Sequence, residues 1–335
     1  MRDTPIVPTI DLDADGVAHG HLRLPWSRDE SAWGNLMIPV TVVKNGAGPT
    51  ALLTGGNHGD EYEGPIALFN LARELKADDV AGRVIIVPAM NFPAFRAATR
   101  TSPVDGQNLN RVFPGRPDGT VTEKIADYFE RTLLAMADRV LDIHSGGRTL
   151  DFLPFAAAHR RDDGMLERAA LVAVRAFSAP WSMMLTEIDA VGMYDTSAEA
   201  QGKVFVSTEL GGGGSTTAAS VAIAARGVRN FLMDGGILAG EPDLGPTAFL
   251  DTPSPDCFVF SGEEGLYEPL ADLGADIVEG RILARIHPTG HTGRAPQELK
   301  ARRGGLLVGR HFPGLIGIGD CAAMIAERTT LEELL

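Results

Sequence analysis

The sequence predicts an α/β fold: a mixed sheet flanked by helices, with a smaller C-terminal β domain. Three observations carry that expectation. Up to about residue 240, short apolar runs ending in glycine-rich turns alternate with longer segments of helical periodicity. Beyond Gly240 the helical period fades, and short strand-like runs separated by Gly, Pro and Asp continue through Ile325. The 335 residues, 44% hydrophobic and 22% charged, supply a large core and exclude disorder as the main theme. At roughly 100–200 residues per domain, that length is comfortable for two.

In chain order, residues 36–43 (LMIPVTVV) read as a strand closed by turn residues 44–49. Residues 50–54 (TALLT) form a second buried strand ending on Gly55 and Gly56. Apolar residues at helical spacing predict a helix over 64–76, and 83–88 (RVIIVP) is the next strand. A helix over 122–137 leads into a strand at 139–143 (RVLDI). A helix at about 166–177, a strand at 204–208 (VFVST) and a helix from about 215 to 232 complete the alternation. Pro242, Pro246 and Pro253 mark a boundary near 245–252, dividing the chain into 1–248 and 249–335. No fixed-period repeat or low-complexity run interrupts either part.

Composition narrows the function classes. Lys+Arg is 30 and Asp+Glu is 44, giving a formal charge of −14. So acidic a surface repels phosphate backbones and anionic lipids, so neither nucleic acid nor a membrane is an expected partner. The two cysteines, Cys257 and Cys321, make no disulfide framework and no CxxC motif. The first dozen residues lack the basic start and apolar run of a signal peptide, and no apolar stretch approaches the ~20 residues that span a bilayer. The expectation is a soluble, cytoplasmic protein.

The most informative stretch is Gly55-Gly56-Asn57-His58-Gly59-Asp60-Glu61, between a buried strand and a helix. An imidazole and a carboxylate three residues apart on such a turn can face one pocket, and zinc takes that mixture of nitrogen and oxygen ligands. A second histidine, His144, closes the later strand 139–143, and strand carboxyl ends are where α/β sheets build their sites. Three protein ligands leave a position for water, the pattern of a catalytic rather than a structural site. Glu209 closes the strand VFVSTE ahead of Gly211–Gly214 and is placed for general-base work. No Gly-Lys-Ser/Thr follows those glycines, so they are not read as a phosphate loop. Between the ligand groups, Arg96, Arg100 and Arg111 with Asn91, Asn108 and Asn110 offer forks for carboxylates and oxyanions.

Taken together, HGDE, TR, NLNR, DIHSGG and TELGG over about residues 33–235 resemble the succinylglutamate desuccinylase and aspartoacylase group of zinc carboxypeptidase-like deacylases. The resemblance implies a zinc-carboxypeptidase-like fold and hydrolysis of an N-acyl amino acid. It implies His58, Glu61 and His144 as ligands of one zinc per chain and Glu209 as general base. Arg100, with Arg96 as a competitor, would polarise the scissile carbonyl, and Asn110 with Arg111 would bind the substrate carboxylate. Within the group, SAWGNLMIPV, GGNHGDEYEGP and NLNRVFPG are most similar to the branch serving ectoine breakdown. Glu187, Asp189 and Asp195 are candidates to face a cationic substrate side chain. A desuccinylase or aspartoacylase with another substrate, a metallocarboxypeptidase and a metal-dependent binding module are the competing readings.

The tail resembles a barrel-sandwich hybrid of the biotinyl-lipoyl type around Val278–Ile286 and Gly314–Asp320. Residues 287–297 hold no lysine, and Lys300 lacks the surrounding motif, so no swinging arm is expected. The tail is expected instead to shape the substrate mouth or a contact in a homo-oligomer. His287, His291 and His311 are expected to be structural or surface residues.

Overall fold

A computed structural model describes residues 3–161, 163–186 and 188–335. The amino-terminal part opens on a hairpin of β1 (Gly16–Pro25) and β2 (Asn35–Asn45). There follow β3 (Thr50–Gly55), α1 (Glu63–Glu74), β4 (Gly82–Val87), α2 (Phe92–Ala97) and α3 (Val121–Tyr128). Next come β5 (Arg139–His144), β6 (Leu150–Phe152), β7 (Phe155–His159), α4 (Gly164–Phe177) and β8 (Trp181–Leu185). Then α5 (Tyr194–Ala200), β9 (Val204–Glu209) and α6 (Ala218–Asp234) lead to β10 (Ala248–Thr252). The tail holds β11 (Gly265–Pro269), β12 (Ile282–His287), β13 (Gln297–Lys300), β14 (Gly305–His311), β15 (Leu315–Ile316) and β16 (Cys321–Thr329).

The large sheet runs β1-β2-β4-β3-β5-β9-β7-β8-β10-β16-β14. Its centre, β4-β3-β5-β9, is parallel, so Val87, Gly55, His144 and Glu209 end at one edge. Each of these strands is apolar at successive residues because both faces are covered. Leu53, Ile86, Leu141 and Val206 pack under α1, α4 and α6 with Leu68, Val174 and Phe231. Their neighbours Leu52, Ile85, Val140 and Phe205 point the other way, against Ile125, Phe129, Leu133 and Tyr194. Thr120, Asp163 and Thr217 cap α3, α4 and α6 through their side-chain oxygens. The helix expected over 122–137 is α3 continued through a π turn, Phe129–Leu133, into Leu134–Met136.

In the tail, β13-β12-β11-β15 make a second, smaller sheet around Tyr267, Ile286, Leu299 and Ile316. The two parts share strands. β10 pairs parallel with β8 and antiparallel with β16, and β6 pairs with β14. A further cluster, Phe152, Phe155, Met183, Leu250, Val308 and Met324, lies across that junction. His287 meets Glu268 at 2.8 Å, and His311 donates to the Leu315 carbonyl at 2.8 Å. Among the described residues no helix is long and apolar enough to cross a membrane.

Candidate active site

Two parallel strand ends and one strand-to-helix turn bring the sequence-derived ligands together. His58 and Glu61 lie on the turn from β3 into α1, and His144 ends β5. Ligand atoms of all three lie within 4.8 Å of one another, a group that can hold a metal ion. His58 Nδ1 is 2.7 Å from Glu61 Oε1, and His144 Nδ1 is 2.9 Å from Glu61 Oε2. All three side chains are buried.

The outer nitrogens decide what the inner ones present. His58 Nε2 lies 3.2 Å from Asn108 Oδ1, and His144 Nε2 lies 2.7 Å from Asp142 Oδ2. An amide oxygen and a carboxylate are acceptors, so each Nε2 carries the proton and each Nδ1 presents a lone pair. Two such lone pairs opposed to one carboxylate repel it unless a proton or a cation lies between them. Electrostatics make the same demand. Burial alone would lower the His144 pKa, yet the Asp142 and Glu61 charges hold it well above its ordinary value. Burial alone would raise Glu61, but His58 and His144 hold it far below the usual carboxylate range. His58 is lowered, chiefly by burial. The donor set therefore fits a divalent cation.

Asp142 belongs to the site although the motifs alone assign it no role. Its Oδ1 accepts from Thr54 Oγ1 at 2.7 Å and its Oδ2 from Asn57 Nδ2 at 3.0 Å. It fixes the tautomer and ring plane of His144. Its position two before His144 on the same strand puts both side chains on one face, a signal present in the sequence. Partners of this kind typically contribute 10- to 100-fold in metal affinity. Asp142→Asn is accordingly expected to weaken metal retention by about that factor, read by competition with a chelator.

Glu209 ends β9 in register with His144. Its Oε2 is buried and, among the described residues, makes no hydrogen bond. Burial first, and then the Glu61 charge, push its pKa up to about 8. Arg100 Nη1 donates to Glu61 Oε1 at 3.4 Å, with the guanidinium half-exposed. Arg96 instead lies over the Phe92 ring at 6.0 Å, so of the two arginines Arg100 is the one beside the ligands. Ser145 N donates to Glu61 Oε2 at 3.2 Å.

Asn110 and Arg111 sit in the loop before α3. Arg111 is exposed, and its Nη1 donates to the Asn110 carbonyl at 2.6 Å. Asn110 Oδ1 accepts from Tyr194 N at 2.9 Å, which leaves its Nδ2 as the group with donors to offer. The segment before α5 braces this loop a second time, as Phe113 N donates to the Gly192 carbonyl at 3.0 Å. Gly192 has φ +77, and a β-carbon there would stand 2.5 Å from the Arg111 carbonyl oxygen. Of the acids proposed to face a cationic substrate group, Asp189 is exposed and accepts from Val191 N. Asp195 turns towards His159, at the opposite end of the sheet, and Glu187 lies outside the described residues.

Residues 47–234 match the succinylglutamate desuccinylase/aspartoacylase catalytic domain. Over 330 residues, 98% of this chain and 96% of the relative, the sequence is 56% identical to an N-alpha-acetyl-L-2,4-diaminobutyric acid deacetylase of Halomonas elongata. Among solved structures, a product-bound ectoine utilization protein of Ruegeria pomeroyi is 62% identical, with TM-score 0.95 over 97% of this chain and all of that one. A succinylglutamate desuccinylase of a Silicibacter species is 60% identical, with TM-score 0.94 over 98% of this chain and all of that one.

Proposed function

Because the chain belongs to the succinylglutamate desuccinylase/aspartoacylase family, we propose that it is a zinc-dependent deacylase removing acetyl from N-alpha-acetyl-L-2,4-diaminobutyrate in ectoine catabolism. The observation carrying the reaction is the pairing of a three-ligand group with Glu209 at the next strand end, whose buried Oε2 makes no hydrogen bond among the described residues. What supports the substrate is the likeness to the Halomonas elongata deacetylase along nearly the whole of both chains. Residues 1–248 are the catalytic domain and 249–335 a small β domain beside it.

Zinc held by His58, Glu61 and His144 would supply Lewis acidity, the chemistry that lowers the pKa of water to about 7. Glu209 takes the proton that water gives up as its oxygen attacks the acetyl carbonyl. It then returns the proton to the leaving nitrogen, which departs as an amine. Arg100 donates to the oxygen that gains charge in the transition state. Such a donor is typically worth about 3–4 kcal/mol. Arg111 and the Asn110 Nδ2 hold the α-carboxylate and so select the amide that meets the base. Gly192→Ala, which forces the Arg111 carbonyl aside, is expected to raise KM about tenfold or more with zinc content unchanged.

The reading is tested by substrate choice. Acetate release from N-alpha-acetyl-L-2,4-diaminobutyrate is expected to exceed, in kcat/KM, release from N-acetylaspartate, succinate release from N-succinylglutamate and cleavage of dipeptides. The 60% identical succinylglutamate desuccinylase makes N-succinylglutamate the necessary competitor. A higher kcat/KM on it would replace the deacetylase reading with a desuccinylase one.

A further inference from the structure

One buried side chain that the chemistry above leaves unused lies behind all three strand ends. Glu63 opens α1, two residues after Glu61, and is 1% exposed. Its Oε1 accepts from Ser220 Oγ, in the first turn of α6, at 2.9 Å. The Ser145 side chain, next after His144, bears on the same carboxylate. A β-carbon on Gly211, two residues after Glu209, would stand 3.6 Å from Glu63 Oε1. One carboxylate thus adjoins the segments that leave β3, β5 and β9. A carboxylate in the first turn of a helix gains from the helix dipole, but that gain does not require burial. Burying it costs free energy, the more so because Oε2 makes no hydrogen bond among the described residues. A cost of this kind is ordinarily retained where geometry is under functional demand.

We infer that Glu63 is a positioning residue, tying α6 and the turn after Glu209 to the start of α1, two residues beyond Glu61. It touches no substrate and acts through the placement of Glu209, so the inference rests on Glu209 as the base. The geometry assigns the effect to the chemical step. A displacement of about 1 Å in a reacting group can cost about 100-fold in rate.

The test uses the full, zinc-loaded chain. Glu63→Ala is expected to lower kcat about tenfold or more while KM stays within about twofold and zinc content is unchanged. Glu63→Gln keeps an oxygen for Ser220 Oγ and is expected to restore at least about half of the wild-type kcat. Ser220→Ala breaks the same link from α6 and lowers kcat in the same direction, which keeps the test open if Glu63→Ala does not fold. The inference is overturned if Glu63→Ala or Ser220→Ala lowers Tm but leaves kcat within about twofold, or if Glu63→Gln is as impaired as Glu63→Ala. Failure of the base assignment would show separately, as turnover retained in Glu209→Gln.

Discussion

Glu209→Gln is expected to lower kcat by roughly 100- to 10,000-fold, the usual worth of a placed general base, with zinc content and KM close to wild type. Glutamine fills the same volume at the end of β9 and disturbs neither the ligand group nor the Asn110 loop. What it removes is the capacity to accept a proton from water and hand it to the leaving nitrogen. The burial and the Glu61 charge that push Glu209 up to about 8 also set a pH dependence. A raised carboxyl pKa means that the basic form is lost as pH falls through that value. The kcat/KM profile is therefore expected to show an acid limb governed by Glu209. A cation at His58, Glu61 and His144 would favour the ionised carboxylate and is expected to move that limb below pH 8. Steady-state kinetics of both proteins across pH check this. Turnover of Glu209→Gln near the wild-type level would remove Glu209 from the chemistry.

The second large effect separates the two histidines. Alanine at either His58 or His144 leaves two ligands and is expected to abolish zinc retention and hydrolysis together, read as metal content and acetate release. Their consequences for stability differ. His144 stands 2.7 Å from Asp142, a fully buried carboxylate, whereas His58 stands against the neutral amide of Asn108. Removing His144 leaves Asp142 with only the Thr54 and Asn57 hydrogen bonds, and an uncompensated buried charge of this kind costs about 3 kcal/mol. Among the chelated proteins, His144→Ala is therefore expected to show the lower Tm and His58→Ala one closer to wild type. Equal Tm values would mean that Asp142 is not held by His144.

Much of this was legible in the sequence because strand ends and turns are marked locally. The runs TALLT, RVIIVP, RVLDI and VFVST each form a central strand, and His58, Glu61, His144 and Glu209 sit at or just beyond their ends. Other elements carry weaker local signals. β7, Phe155–His159, is mostly alanine, a residue of poor strand propensity, and is held by its place between β9 and β8. The β1–β2 hairpin spreads His, Gly and Ala over a half-exposed strand with little apolar periodicity. The braces of the site are long-range contacts that motif spacing does not encode. Asn108 against His58, Tyr194 N on Asn110, and Ser220 on Glu63 join residues 50, 84 and 157 positions apart. The sharing of strands between the tail and the main sheet is of the same kind. β6 follows the His144 turn and pairs with β14, about 160 residues later in register.

Hydrolysis is proposed to depend on one zinc held by His58, Glu61 and His144. The most direct measurement is acetate release from N-alpha-acetyl-L-2,4-diaminobutyrate by chelated protein titrated with zinc. No turnover is expected at the start, followed by a linear recovery that breaks at one equivalent per chain. Undiminished turnover by protein shown to be metal-free would contradict it.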